Sequence, residues 1–229
     1  MTENTNPLGQ YYRQPQIYIK LPSGGRYYPK EVYTPTETGE IPILPMTAKD
    51  EMAFKTPDAM INGQSTVDVI KSCVPNLLDP WKMVNYDTDA VLLAIRIATF
   101  GETMDVSYTI PGPDEQQTSS VNLPALLEDI NKIQIEDYAT TSKGFKVKIQ
   151  PLDYKTLTKV QIAKFEQQKM YGTINSSTLT EEQKQTAFSK SFETLNTVNF
   201  SLLLDSIQEI TTPDGAVVTD KQQIMDFVN

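Results

Sequence analysis

Few side chains in this sequence are suited to chemistry, and their spacing points away from it. Histidine is absent, which removes the commonest general base, the commonest metal ligand and every serine or cysteine triad that relies on imidazole. The single cysteine, Cys73, falls on the apolar side of a helix marked by Val67, Ile70 and Val74, where a thiol behaves as a small hydrophobe. Asp87, Asp89 and Asp105 carry the charge a hard cation or an acid–base pair would need. Asp87 and Asp89, however, stand at a helix start, where carboxylates are favoured by capping and by the dipole. Glu128-Asp129 reads as a solvated helix face and Asp214 as part of a turn. Ser23-Gly24-Gly25-Arg26 has the glycines of a phosphate cradle but lacks the Gly-x-x-x-x-Gly-Lys-Ser/Thr spacing, and it runs into Tyr27-Tyr28-Pro29 rather than a helix. Catalytic residues, metal ligands and cofactor-binding residues are therefore all expected to be none.

The elements that must position these residues follow from hydrophobic period and punctuation. Residues 1–14 are polar and read as an arm that orders only against something else. Ile17, Ile19 and Leu21 alternate as a half-buried strand; Pro22 to Gly25 supplies a turn, and Tyr27-Tyr28-Pro29 is expected to return as the second strand of a hairpin. Ile41 to Leu44 is a short apolar strand. Thr47 with Asp50 three residues on is a capping box opening a helix, and Pro57 to Asn62 reads as a second short helix stopped by Gly63. Ser65 is expected to cap the helix that carries Cys73. The strongest helix runs from Asp87 to Phe100, apolar nearly all round and followed by Gly101, so it belongs at the centre of a core.

Further along, Met104, Val106, Tyr108 and Ile110 alternate, and a Pro/Gly/Gln/Ser connector leads back to Val121-Asn122-Leu123, the pattern of a hairpin. Pro124 opens a helix. Phe145, Val147 and Ile149 mark another strand, and a long helix follows from about Asp153 to Tyr171. Thr180 with Gln183 caps a helix whose stripe continues to about Glu209; Thr212 to Gly215 is a turn, Val217-Val218 a short strand, and Asp220–Val228 a last helix capped by Thr219. That helix ends with no glycine or proline stop, which fits a chain cut there or an end that docks on a partner.

A chain of 229 residues with 39% hydrophobic and 21% charged side chains folds as a globular protein. Its formal charge of −9 repels phosphate backbones, so nucleic acid is not an expected partner. The apolar run Ala90 to Ala98, interrupted by Arg96, is far short of the roughly 20 residues that span a bilayer, and no basic segment followed by an apolar run marks a signal peptide. With no second cysteine for an internal disulfide, the expected compartment is a reducing cytoplasm. What remains is surface. Tyr11, Tyr12, Tyr18, Tyr27, Tyr28 and Tyr33 form a tyrosine-rich strip beside the arm, read either as a partner-binding surface, since tyrosine gives large contact area at low entropy cost, or as the shielding rim of a sheet.

On the segments Leu21-Pro22-Ser23-Gly24-Gly25, Leu44-Pro45-Met46-Thr47-Ala48-Lys49-Asp50-Glu51, Lys55-Thr56-Pro57-Asp58, Asn62-Gly63 and the Asp89–Ile97 helix, the chain resembles the baseplate hub and hub-assembly proteins of T-even-type contractile-tailed phages, over roughly residues 17–228. The resemblance implies a protein without enzymatic activity that builds or completes the central hub of the viral tail baseplate by contacts with other phage baseplate hub proteins, as a homo- or hetero-oligomer. It leaves open whether the protein is an assembly factor acting in the host cell cytoplasm or a permanent structural part of the virion. The resemblance also implies that relatives can carry a Cys-Pro-x-Cys turn where this chain has Ile110-Pro111-Gly112-Pro113, so any metal knuckle implied by the family is lost here.

The expected architecture is α+β: one small antiparallel sheet, from the N-terminal hairpin and the strands of 104–149, packed by several helices. Its expected divisions are a flexible arm at 1–14, an α+β core at 15–150 and a helical C-terminal region at 151–229.

Overall fold

The computed structural model describes residue 8 and residues 12–29, 31–56, 62–110, 116–176 and 180–228. The helix expected at 57–62 lies almost wholly outside them. Among the described residues the chain forms seven α-helices and eight strands, an α+β protein whose C-terminal half is mostly helical. Contacts divide it into two units, Met1–Met60 with Gln64–Ile133 and Gln134–Asn229 with Ile61–Gly63.

In the first unit β1 (Ile17–Lys20) pairs antiparallel with β2 (Glu40–Ile43), Ile17 facing Ile43 and Ile19 facing Ile41. The return strand expected at Tyr27 is absent. Residues 22–27 are instead successive turns, in which Gly24, Arg26 and Tyr28 donate their N–H groups to the carbonyls of Leu21, Ser23 and Gly25. Gly24 and Gly25 are left-handed there, with φ of 63° and 77°, a conformation only glycine adopts freely. The chain coils inward instead of reversing, and β1 finds its partner after the following loop.

Helix α1 (Ala48–Phe54) carries the expected capping box between Thr47 and Asp50. Helix α2 (Gln64–Cys73) begins one residue before Ser65, so Ser65 does not cap it; its hydroxyl donates to Ala53 O at 2.9 Å and ties α2 to α1. Helix α3 (Asn85–Phe100) buries Ala90, Val91, Ala94, Ile95 and Ile97 and ends at Gly101, whose N–H donates to Ile97 O at 2.9 Å. It is the axis of the core, with Ile41, Ile43, Val69, Ile70 and Leu123 packed in the same cluster. Strands β3 (Thr103–Thr109) and β4 (Gln116–Asn122) form a separate two-stranded ribbon, exposed along almost its whole length. Helix α4 (Leu123–Asn131) closes the unit by burying Leu123 and Leu127.

The second unit contains a four-stranded antiparallel sheet in the order β5 (Tyr138–Thr140), β6 (Lys146–Ile149), β7 (Ile207–Thr211), β8 (Val217–Val218). The described strands thus form three sheets rather than one. The strands of 138–149 join the C-terminal helices because β6 pairs with β7 some sixty residues on, whereas a sequence boundary at 150 follows local pattern alone. The long helices α5 (Tyr154–Ser176) and α6 (Glu181–Ser206) run antiparallel, since Tyr171 stacks on Phe188 with centroids 5.3 Å apart and Ser191 Oγ donates to Gln167 Oε1. Helix α6 starts with the Thr180/Gln183 capping box but stops at Ser206, short of the expected Glu209. Helix α7 (Lys221–Val228) is capped by Asp220, which accepts from Gln223 N at 3.0 Å, rather than by Thr219. It sets Ile224 against Ile207 and Ile210. No helix among the described residues is long and apolar enough to cross a membrane.

Candidate functional site

Asp87 is the residue whose placement departs furthest from its helix-start reading. It lies in the first turn of α3, yet its carboxylate caps nothing there. It is fully buried and accepts from Ser23 N at 2.8 Å, from Tyr28 Oη at 2.7 Å and from Ser23 Oγ. Tyr28 Oη in turn accepts from Val84 N at 2.9 Å, so the hydroxyl supplies the N-terminal end of α3 with the cap its own residues lack. Burial raises the Asp87 carboxyl above its ordinary value despite the hydrogen bonds that oppose the rise. Burial, followed by the Asp87 charge, lifts the Tyr28 phenol far above its own, so Tyr28 stays a donor. This is a structural pin between the glycine turns and the central helix, and it explains the Ser23-Gly24-Gly25 segment without a phosphate.

A second carboxylate anchors the end of the N-terminal arm. Asp50 Oδ2 accepts from Thr47 N at 2.8 Å and Ser72 Oγ at 2.9 Å, with Arg13 Nη1 at 3.5 Å. Arg13 also donates to Pro45 O at 2.7 Å and to Ser72 O at 2.5 Å. Burial pushes the Asp50 carboxyl upward, but the hydrogen bonds from Thr47 and Ser72 and the Arg13 charge outweigh it and hold the group below its ordinary 3.8. A depressed folded-state value contributes stability that is full above 3.8 and is lost as pH falls through the folded value. Asp50→Asn is accordingly expected to flatten the acid limb of a plot of melting temperature against pH below about 4; an unchanged limb would show that the Arg13 cluster does not couple to folding.

The remaining chemical candidates are dispersed. Cys73 is buried beside this cluster, and burial with the Asp50 charge pushes its thiol up to about 11, so it is protonated at neutral pH. Asp89 lies exposed on α3 and Asp105 on the ribbon, each on a different element from Asp214. Among the described residues no three His, Cys, Asp or Glu side chains gather into a metal site.

The tyrosine strip is only partly a surface. Tyr12 and Tyr18 are 60% and 62% exposed, whereas Tyr33 is buried in the core and bridges to Leu77, and Tyr28 packs edge-on against it with centroids 6.3 Å apart. Tyr27 is half-buried with Arg26 over its ring at 5.3 Å. Tyr11 lies outside the described residues. The turns at 22–27, by coiling inward, take Tyr28 and Tyr33 off the strip.

Two surfaces were not singled out by sequence. The β3–β4 ribbon sets Met104, Val106 and Tyr108 on one face, opposite Val121, Ser119 and Gln117, and all three are exposed. The alternation of 104–108 was visible; that no other element covers it was not. Between α1 and α3, a half-open trough of about 420 Å³ is lined by Met46, Phe54, Leu92 and Ile95, with Arg96 and Phe100 at one side. Only an arginine interrupting an apolar helix stripe hinted at it.

A family model described as T4 bacteriophage base plate protein matches residues 14–229. No curated protein and no solved structure matches the chain.

Proposed function

We propose that this chain, which belongs to the T4 bacteriophage base plate protein family, acts without covalent chemistry, building or completing the central hub of the baseplate through contacts with other hub proteins. Family membership across nearly the whole chain carries the reading. The geometry supports it in kind. The ribbon face of Met104, Val106 and Tyr108 and the exposed rings of Tyr12 and Tyr18 offer apolar and aromatic area of the sort that interfaces cover. Each carboxylate with a built environment, Asp50 and Asp87, is occupied in holding elements together. An assembly factor that leaves the finished particle is the primary reading, acting in the host cytoplasm; a permanent structural component of the tail is the second, favoured by the family description itself.

Mass spectrometry of tail intermediates and of purified virions separates the two. The chain in intermediates and absent from virions marks an assembly factor; the chain in both marks a permanent part. A phage lacking the gene is expected to make defective tails, and normal infectious tails from such a phage would overturn both readings. A thermal shift with nucleotides or divalent metals would instead revive an enzymatic role.

A further inference from the structure

The trough between α1 and α3 has in its lining an arginine with an unmet hydrogen-bonding demand. Arg96 projects from α3 with its guanidinium over the Phe100 ring, 4.5 Å from the centroid. The ring occupies one face of the cation and leaves the in-plane N–H groups to other partners. Nη1 is nevertheless buried and has no acceptor among the described residues. A buried guanidinium N–H without an acceptor is costly, and the acceptor that satisfies it best is a carboxylate. The other walls, Met46, Phe54, Leu92 and Ile95, are apolar, so the space beside the cation suits hydrocarbon. Lys55 and Glu51 also line the trough; with Arg96 their charges sum to one positive, which complements a single anion.

We propose that this trough receives a segment of another baseplate protein that presents a carboxylate next to an apolar side chain, the carboxylate accepting from the Arg96 guanidinium as the side chain turns its covered Nη1 outward, and the apolar group filling the space toward Phe54. This rests on the baseplate reading above and gives one of its contacts a chemistry. Phe100, 52% exposed at the trough's side, is apolar area for the same segment to cover, which a small carboxylic acid inside the trough would leave bare. The chain's overall charge of −9 opposes an acidic partner at long range, so recognition acts at contact distance, where burial strengthens the pair.

A photo-crosslinking phenylalanine at Phe54 of the full-length chain, supplied in infected cells to a phage lacking the gene, tests this. The crosslink is expected on a baseplate protein, at an apolar residue within a few positions of an Asp, a Glu or a C-terminal carboxylate. Arg96→Met, which keeps an unbranched apolar stem but removes the guanidinium, is expected to lower the yield about tenfold; Arg96→Lys retains part of it, and Leu92→Trp abolishes it by filling the trough. Each variant is compared at a melting temperature within a few degrees of the parent. A crosslink to a segment with no carboxylate, a yield indifferent to Arg96→Met, or a small carboxylic acid found in the trough by native mass spectrometry overturns the proposal. So does a chain that enters baseplate intermediates without a crosslink, and in that case the baseplate reading stands. A chain that enters no baseplate intermediate overturns both.

Discussion

Asp87→Ala is expected to lower the free energy of unfolding by about 3 kcal/mol, the scale of leaving several buried donors without an acceptor. Three donors lose their partner at once: the N–H and hydroxyl of Ser23 and the phenol of Tyr28. The two hydroxyls can rotate, but the Ser23 N–H is fixed by the turns around it, so its loss is not repaired. Asp87→Asn keeps one acceptor oxygen and relieves the burial of a charge, and is expected to cost about half as much. Urea denaturation of both variants decides the matter; a loss below about 1 kcal/mol for Asp87→Ala would mean that the pin is incidental to the fold. Protonation separates the carboxylates further. Asp87 is raised in the fold, so its contribution is full below 3.8 and is lost as pH rises through the folded value, opposite in sign to Asp50. In the parent protein the two slopes oppose each other, and the two asparagine variants expose them one at a time.

Gly25→Ala carries the second large effect, expected at about 2–4 kcal/mol from backbone strain and overpacking together. A Cβ at Gly25 would stand 2.8 Å from Cε1 and 3.0 Å from Cδ1 of Tyr33, and that ring is buried with Tyr28 packed edge-on against it. Gly24 provides the control. It is equally left-handed, with φ of 63°, but nothing lies within 4 Å of its Cβ position, so Gly24→Ala should register the strain alone, about 1 kcal/mol. Thermal melts of the two variants isolate the ring contact by difference. Equal losses would show that the close approach to Tyr33 is relieved without cost.

Features whose partners sit three or four residues apart are legible in this sequence. The Thr47/Asp50 and Thr180/Gln183 boxes, the burial of α3 and its glycine stop all follow from such spacings. Features whose partners sit far along the chain are not. Nothing local says that Tyr27-Tyr28-Pro29 will decline to pair with β1, because the reason is Asp87 drawing in Ser23 and Tyr28 from 64 and 59 residues away. The end of α6 was misread for a subtler cause. The register slips between Lys148 and Ile149, so Ile207 and Ile210, three residues apart on a strand, are both buried. That spacing imitates a helix stripe, and the stripe reading overran the helix by one turn. The candidate sites divide in the same way. Tyr12 and Tyr18 are singled out by type and order, and the structure leaves both exposed, while the Arg96 trough needs two helices from different parts of the chain to be seen together.

The span between Ser23 and Asp87 also fixes an order of events at the ribosome. The glycine turns emerge early, but the carboxylate that pins them is 64 residues downstream. At about 5–20 residues translated per second, that delay is on the order of 3–13 s, long compared with the microseconds in which α1 or α2 can form. During that interval β1 has no fixed approach to the core, and the N-terminal segment of the nascent chain is held in place only after the central helix has been made.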